Sequence, residues 1–484
     1  MRGVRKPNNV VQFKAVPYAT LPGRFKQSVL LNDLGKTDRD FTKPGAACPQ
    51  IFPSRIHDGG PIPEDNISTP PLSNEFTSLI LQLNVPLSTL QAAPPRKLPI
   101  LVYIHGGGFV LGHIDNAHST ALMTEQSIAD AQPVISASIQ YRLGALGSLY
   151  IPEAGTSNRG LNDQRNALLW LQRFVSGFGG DSSNVTVFGE SAGALSICDH
   201  MLSKPPQTGP LFRRVILMSG ILGPATLPHS IDFAKAIYDR FLAKMGIHEK
   251  GVEGLEKLRE ADVERIVQVT AEIGDEGIMW WPVWDEEWFG EGTEGSTCDR
   301  AIEMVAECEW VDEVVLGTTG FEGSYSMGRF ANITPQEGLD GIEGQVTHLS
   351  SKPSKKVYRY IFDVRNPFPN HSLYQLPHHW VDVYFVFKTF QFRYPTKRLK
   401  YISTRHAQLW VDFANGKAPW AKYNYEGSVI IIVADDREGW VERSAEVCEE
   451  VMDLSWDRYE RLIESWKGMG GVERFWPLKA GGKD

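Results

Sequence analysis

The chain has 484 residues, 42% hydrophobic and 22% charged, with a formal net charge of -9; this is a globular composition with apolar material for one large core. Lysine and arginine collect into no block able to follow a phosphate backbone, so nucleic acid is excluded as an expected partner. Apolar stretches such as Ser428 to Ala434 fall far short of the ~20 residues a membrane span needs, and the basic start, Met1 to Asn9, leads into no secretory-type apolar run.

Length alone suggests about three domains, but composition marks no boundary, so a single domain over 1–484 with insertions is expected. In chain order, Gln50 to Pro71 is rich in proline, glycine and charge and reads as a surface excursion. From Leu98 onward, short apolar runs alternate with helical patterns. Strands are expected at Ile100 to His105, Val134 to Tyr141, Val185 to Gly189, Arg214 to Met218, Val314 to Thr318, Val357 to Phe362 and Ser428 to Val433. Helices are expected at Asn162 to Phe178, where Ala167, Leu168, Leu171 and Val175 keep helical spacing, and at Phe233 to Met245, Leu399 to Ala414 and Ala445 to Ile463. The alternation predicts an α/β protein with a mostly parallel central sheet and helices on both faces. Residues 222–312 interrupt it with a helical, then tryptophan-rich insertion (Trp280, Trp281, Trp284, Trp288), where a cap over a site could sit.

Cys48, Cys198, Cys298, Cys308 and Cys448 are odd in number and widely spaced, with no Cys-x-x-Cys pair and no metal-ligand spacing. Buried or incidental thiols in a reducing compartment are expected.

The informative passage runs from Asn184 to Ser196, where an apolar strand enters Gly189-Glu190-Ser191-Ala192-Gly193 and a small-residue helix start follows. In that context Gly-x-Ser-x-Gly is a nucleophile elbow of the α/β-hydrolase fold, a strained strand-to-helix turn that presents the serine hydroxyl at a helix N-terminus. Upstream, another strand ends in His105-Gly106-Gly107-Gly108-Phe109. Three successive glycines make sense where bare N–H groups must face a developing oxyanion, and Gly107, Gly108 and Ala192 are the expected donors. A phosphate-binding loop is the competing reading, but no Lys-Ser/Thr follows the glycines.

These residues resemble the type-B carboxylesterase and lipase family, which includes the cholinesterases. The resemblance extends through Phe13 to Ala19, Gly23 to Phe25, Leu83 to Val85, Tyr141 to Gly144, Gly160 to Arg165 and Phe178 to Asp181, in the family's order. It implies a glutamate after a strand as the acid, which Glu322 in Thr319-Gly320-Phe321-Glu322-Gly323 fits; Asp312 and Glu313 precede that strand, at its wrong end. It also implies a histidine in His-x-x-Asp/Glu before an aromatic run, which His379 matches through Asp382. His378 competes, while His105, His200 and His406 read as structural.

The resemblance also implies disulfides in secreted members. Here Cys48 is kept but its partner position reads Ile80, and a second bridge has no cysteines in the region of Met245 to Arg259. This implies an intracellular, fungal-like member.

The implied chemistry is hydrolysis of a small-molecule carboxylic ester through Ser191, His379 and Glu322, by way of an acyl-enzyme and without metal or organic cofactor. Trp280, Trp281, Trp380 and Phe109 are candidates for an aromatic substrate pocket, with core packing as the competing role. Two rival functions stay open: an acyl-transferring or lactone-forming hydrolase of a biosynthetic pathway, and a non-catalytic binding protein on the same fold.

Overall fold

In the computed structural model, strand Leu98–Ile104 alternates its side chains between two separate apolar cores. Ile100, Val102 and Ile104 enter one and Leu101 and Tyr103 the other, as a strand covered on both faces must. The structure describes residues 1–33, 39–52, 71–94, 96–223, 226–293, 296–322, 349–371, 373–423, 428–433 and 440–444.

In chain order the strands are β1 Val4–Arg5, β2 Val10–Pro17, β3 Ala19–Thr20, β4 Val29–Leu30, β5 Ile80–Pro86, β6 Leu98–Ile104, β7 Ile135–Ile139, β8 Gly180–Glu190, β9 Arg214–Met218, β10 Glu313–Thr319, β11 Lys356–Asp363, β12 Ser428–Val433 and β13 Trp440–Ser444. Among the described residues eleven of them form one sheet in the order β1-β2-β5-β7-β6-β8-β9-β10-β11-β12-β13. Pairing is parallel from β7 to β12 and antiparallel at both ends. The fold is therefore the expected α/β-hydrolase type, with a mostly parallel sheet.

Every expected strand is present, with ends moved by a few residues; β8 starts earlier than Val185, at Gly180. The expected helix from Asn162 runs over Arg159–Phe174, then tightens to a 3-10 turn over Val175–Phe178 that ends at the left-handed Gly179. The helix expected at Phe233 starts at Ile231, because the Ser230 side chain accepts the backbone N–H of Phe233. Thr396 caps Lys397–Ala414 in the same way. The helix expected at Ala445 to Ile463 and most of the Gln50 to Pro71 excursion lie outside the described residues.

β2 and β5 escape a search for apolar runs because their buried faces carry amides. Gln12 donates to Gln82 and Asn84, and Asn84 donates to Thr120 and Ser136, so burial is bought by mutual hydrogen bonding. Between β9 and β10 the 222–312 segment supplies helices Ile231–Met245, Gly251–Glu260, Val263–Asp275 and Cys298–Glu307. Two of its tryptophans are built into the packing: Trp280 donates to Thr270 O, and Trp288 carries the Arg165 guanidinium 3.6 Å over its ring.

Candidate active site

Sheet register gathers the candidate residues before any side chain is considered. Ile104 of β6 lies beside Gly189 of β8, and Glu190 beside Met218 of β9. The glycine loop, the elbow and the β9–β10 ends thus leave one edge of the sheet, the carboxyl edge where such folds place ligands.

At the elbow Ser191 has φ 54° and ψ -123°, a conformation that costs a non-glycine residue about 1–3 kcal/mol. The surroundings enforce it. Ser191 N–H donates to Met218 O at 2.9 Å, and helix Ala192–Leu202 follows at once. A Cβ on Gly193 would lie 2.1 Å from Ile104 O, and one on Gly189 2.5 Å from the Gly193 carbonyl carbon. Only bare backbone lets the helix start this close to the sheet.

The glycine loop is equally constrained. Gly107 and Gly108 have φ of 105° and 60°, and a Cβ on Gly107 would sit 2.2 Å from Leu111 O. Gln50 clamps the far side by exchanging hydrogen bonds with the Gly112 backbone at 2.8 and 2.9 Å. The Ala192 N–H belongs to the first turn of its helix, where amides lack intrahelical acceptors.

Glu322 and His379 meet through backbone. Phe321 and His378 form a single parallel bridge, with Phe321 N–H donating to Pro377 O at 2.8 Å, so the next residue of each strand end faces the other. His379 Nδ1 lies 2.6 Å from Glu322 Oε2. The other carboxylate oxygen accepts Ser219 Oγ–H at 2.6 Å, Thr319 N–H at 2.5 Å and Thr319 Oγ1–H at 2.9 Å. Burial alone would raise the Glu322 carboxyl, but His379 and these donors hold it below the usual range. His378 is turned elsewhere, its Nε2 accepting from Asn366 at 3.0 Å. His105 stacks on Tyr141, His200 pairs with Gln164, and His406 is buried among aromatic rings, all structural positions. Asp312 and Glu313 pair with Arg213 and Arg214 at the opposite edge of the sheet.

The sequence reading gave no role in the site itself to three residues that the structure places around the acid and the histidine, Asp382 having entered only as a motif match. Glu190, fully buried, places Oε1 3.0 Å from His379 Nε2, which brings the histidine beside the residue preceding Ser191. Ser219 anchors Glu322. Asp382, also fully buried, accepts Tyr360 O–H at 3.0 Å and is pushed up to about 7, first by burial and then by Glu322. Burial pushes Glu190 up as well, opposed by the His379 cation. For His379 burial works downward, but Glu190 and Glu322 outweigh it and hold the imidazole at about 9. Glu190 was hidden because the elbow motif admits any residue at that place; Ser219 had one legible signal, its position directly after a parallel strand.

Of the pocket candidates, Trp281 packs edge-on to Phe109 at 5.7 Å beside the glycine loop, Trp380 is half-buried, and Trp280 is core.

Comparison with known proteins bears on the family and the fold. The Carboxylesterase family profile matches residues 1–337. Lipase 3 of Yarrowia lipolytica (strain CLIB 122 / E 150) is 27% identical over 444 residues, covering 86% of each chain. Para-nitrobenzyl esterase of Bacillus subtilis (strain 168) is 31% identical over 358 residues, 72% of this chain and 65% of that one. A PNB esterase structure superposes with a TM-score of 0.71 at 24% identity, covering 94% of this chain and 97% of that one. The juvenile hormone esterase of Manduca sexta, with OTFP covalently attached, gives 0.72 at 22% identity over 93% and 95%. Among the described residues no helix is long and apolar enough to cross a membrane. The chain belongs to the carboxylesterase family and is an ester hydrolase on the α/β-hydrolase fold.

Proposed function

We propose that the protein is a serine carboxylesterase acting through Ser191, His379 and Glu322, with Gly107, Gly108 and Ala192 as oxyanion donors. The observation that carries this reading is the 2.6 Å contact of His379 with Glu322, its other ring nitrogen 3.0 Å from Glu190, the residue before an elbow serine held at φ 54°. His379 takes the Ser191 proton as Oγ bonds to the ester carbonyl carbon. The oxyanion forms against the three N–H groups, and the alcohol leaves with the proton from His379. Water repeats the sequence on the acyl-enzyme, while Glu322 stabilises the imidazolium. Covalent OTFP in the Manduca sexta structure is in keeping with this course. The 222–312 insertion acts as a cap through Trp281, whose ring meets Phe109 of the glycine loop. Among the described residues Cys48, Cys198, Cys298 and Cys308 are free thiols, in keeping with an intracellular setting, while Cys448 lies outside them.

Protein quenched during turnover of 4-nitrophenyl butyrate is expected to carry a butyryl mass on the peptide containing Ser191, read by mass spectrometry. An acyl group on another residue would sink the assignment.

The acid limb of the kcat/KM profile reports deprotonation of His379, since only the neutral imidazole accepts the serine proton. Carboxylates raise its proton affinity, so activity climbs as pH rises through that range. Glu190→Gln removes one of them and should move the limb to lower pH by about one unit. A limb that stays fixed would mean that Glu190 carries no charge there.

A further inference from the structure

The residue immediately after His379 is a tryptophan in a conformation that suits glycine. Trp380 has φ 84° and ψ -13°, and it caps the short helix Val381–Val386 without a side-chain hydrogen bond. A side chain at that φ is disfavoured, and a bulky one is uncommon. Glycine would make the same turn with less strain, so the indole must return something through its contacts.

Those contacts join the site's loops. The six-membered ring edge borders Gly106, where an added Cβ would lie 3.2 Å from Trp380 Cζ3 and 2.8 Å from Glu190 Oε2. Indole and carboxylate therefore flank the same bare backbone at the start of the oxyanion loop. A second contact is an edge-to-face meeting with His118 at 5.3 Å, and His118 is tied to Asp115 by Nδ1···Oδ1 at 2.9 Å. His118 also meets Phe387 at 5.7 Å, beyond the helix that Trp380 opens.

We propose that Trp380 is a positioning residue: its indole braces the histidine loop against Gly106 and His118, and so fixes the His379 imidazole between Glu322 and Glu190. This rests on the serine-esterase reading. Because catalysis depends on placement to within about an ångström, loss of the brace lowers kcat, whereas a small ester that does not touch the indole keeps its KM.

The test compares native protein, Trp380→Phe, Trp380→Gly and Ser191→Ala on 4-nitrophenyl acetate, with thermal unfolding of each. Trp380→Gly should fold and lose kcat about 10–100-fold with KM within about threefold. Trp380→Phe, which keeps a ring but shortens its reach, should lose about two- to fivefold. Native kcat in folded Trp380→Gly, or a loss confined to KM, would overturn the inference. Should the glycine variant fail to fold, native kcat in Trp380→Phe would overturn it as well. Turnover persisting in Ser191→Ala would instead bring down the esterase reading beneath it.

Discussion

Ser191→Ala is expected to lower kcat for nitrophenyl esters by about 10⁴-fold or more and to abolish labelling by a fluorophosphonate probe. The size follows from the division of labour. His379 and Glu322 act only through the serine oxygen, so removing Oγ disables the group as a unit and leaves whatever the oxyanion donors supply alone. Alanine retains the Cβ and the same left-handed backbone demand, and the Ser191 N–H bond to Met218 is untouched. Folding should therefore be unchanged, with a melting temperature close to native. A variant that still labels or turns over would show that another nucleophile operates; a native protein that does neither would make the binding reading the leading one.

The largest expected effect on stability lies away from the site. Arg142 and Asp163 are fully buried partners: Nε donates to Oδ2 at 2.7 Å, one Nη to Oδ1 at 2.8 Å, and the Arg142 backbone N–H to Oδ2 at 3.1 Å. A second buried guanidinium, Arg159, donates to Ala145, Leu146 and Leu149 carbonyls; burial, then the Arg142 charge, bring it down to about 9, while Asp163 works to raise it. Asp163→Asn keeps the shape but leaves Arg142 without its counter-charge and Arg159 less well balanced. Breaking a buried pair from one side costs about 3–5 kcal/mol, and the urea midpoint should fall accordingly with little change in slope. Asp312→Asn is the matched control, since the Arg213–Asp312 pair is 46% exposed on both sides and such pairs are worth about 0–1 kcal/mol. Equal midpoints for the two variants would remove the case for the buried pair.

Much of the site was legible because its chemistry is local. Gly189 and Gly193 must be bare for one helix to start against one strand with Ser191 at the turn between them, and Gly106 to Gly108 must be bare for one loop to turn. Such requirements are written within five residues and survive without knowledge of the rest of the chain. The choice of Glu322 and His379 was different in kind. It came through resemblance, because nothing within either segment distinguishes a triad glutamate from a surface one; the Phe321–His378 bridge that joins them spans 57 positions of sequence separation between Glu322 and His379.

Glu190, Asp382 and Trp380 stood in the sequence as motif and aromatic residues and Ser219 only as the residue after a strand; their roles around His379 and Glu322 were not legible. Packing gives each its role, and packing is a property of what folding brings against a residue. Glu190 is an acid in a motif until His379 and Gly106 close over it; Trp280 and Trp281 are neighbours in sequence, yet one bonds into the core and the other faces the glycine loop. The sequence by itself determined the parallel sheet, the strained serine and the glycine loop, since short-range periodicity and backbone sterics dictate them. Tertiary structure alone decided which carboxylates face the imidazole and which side chains brace it, because desolvation and charge pairing depend on atoms that only folding brings together.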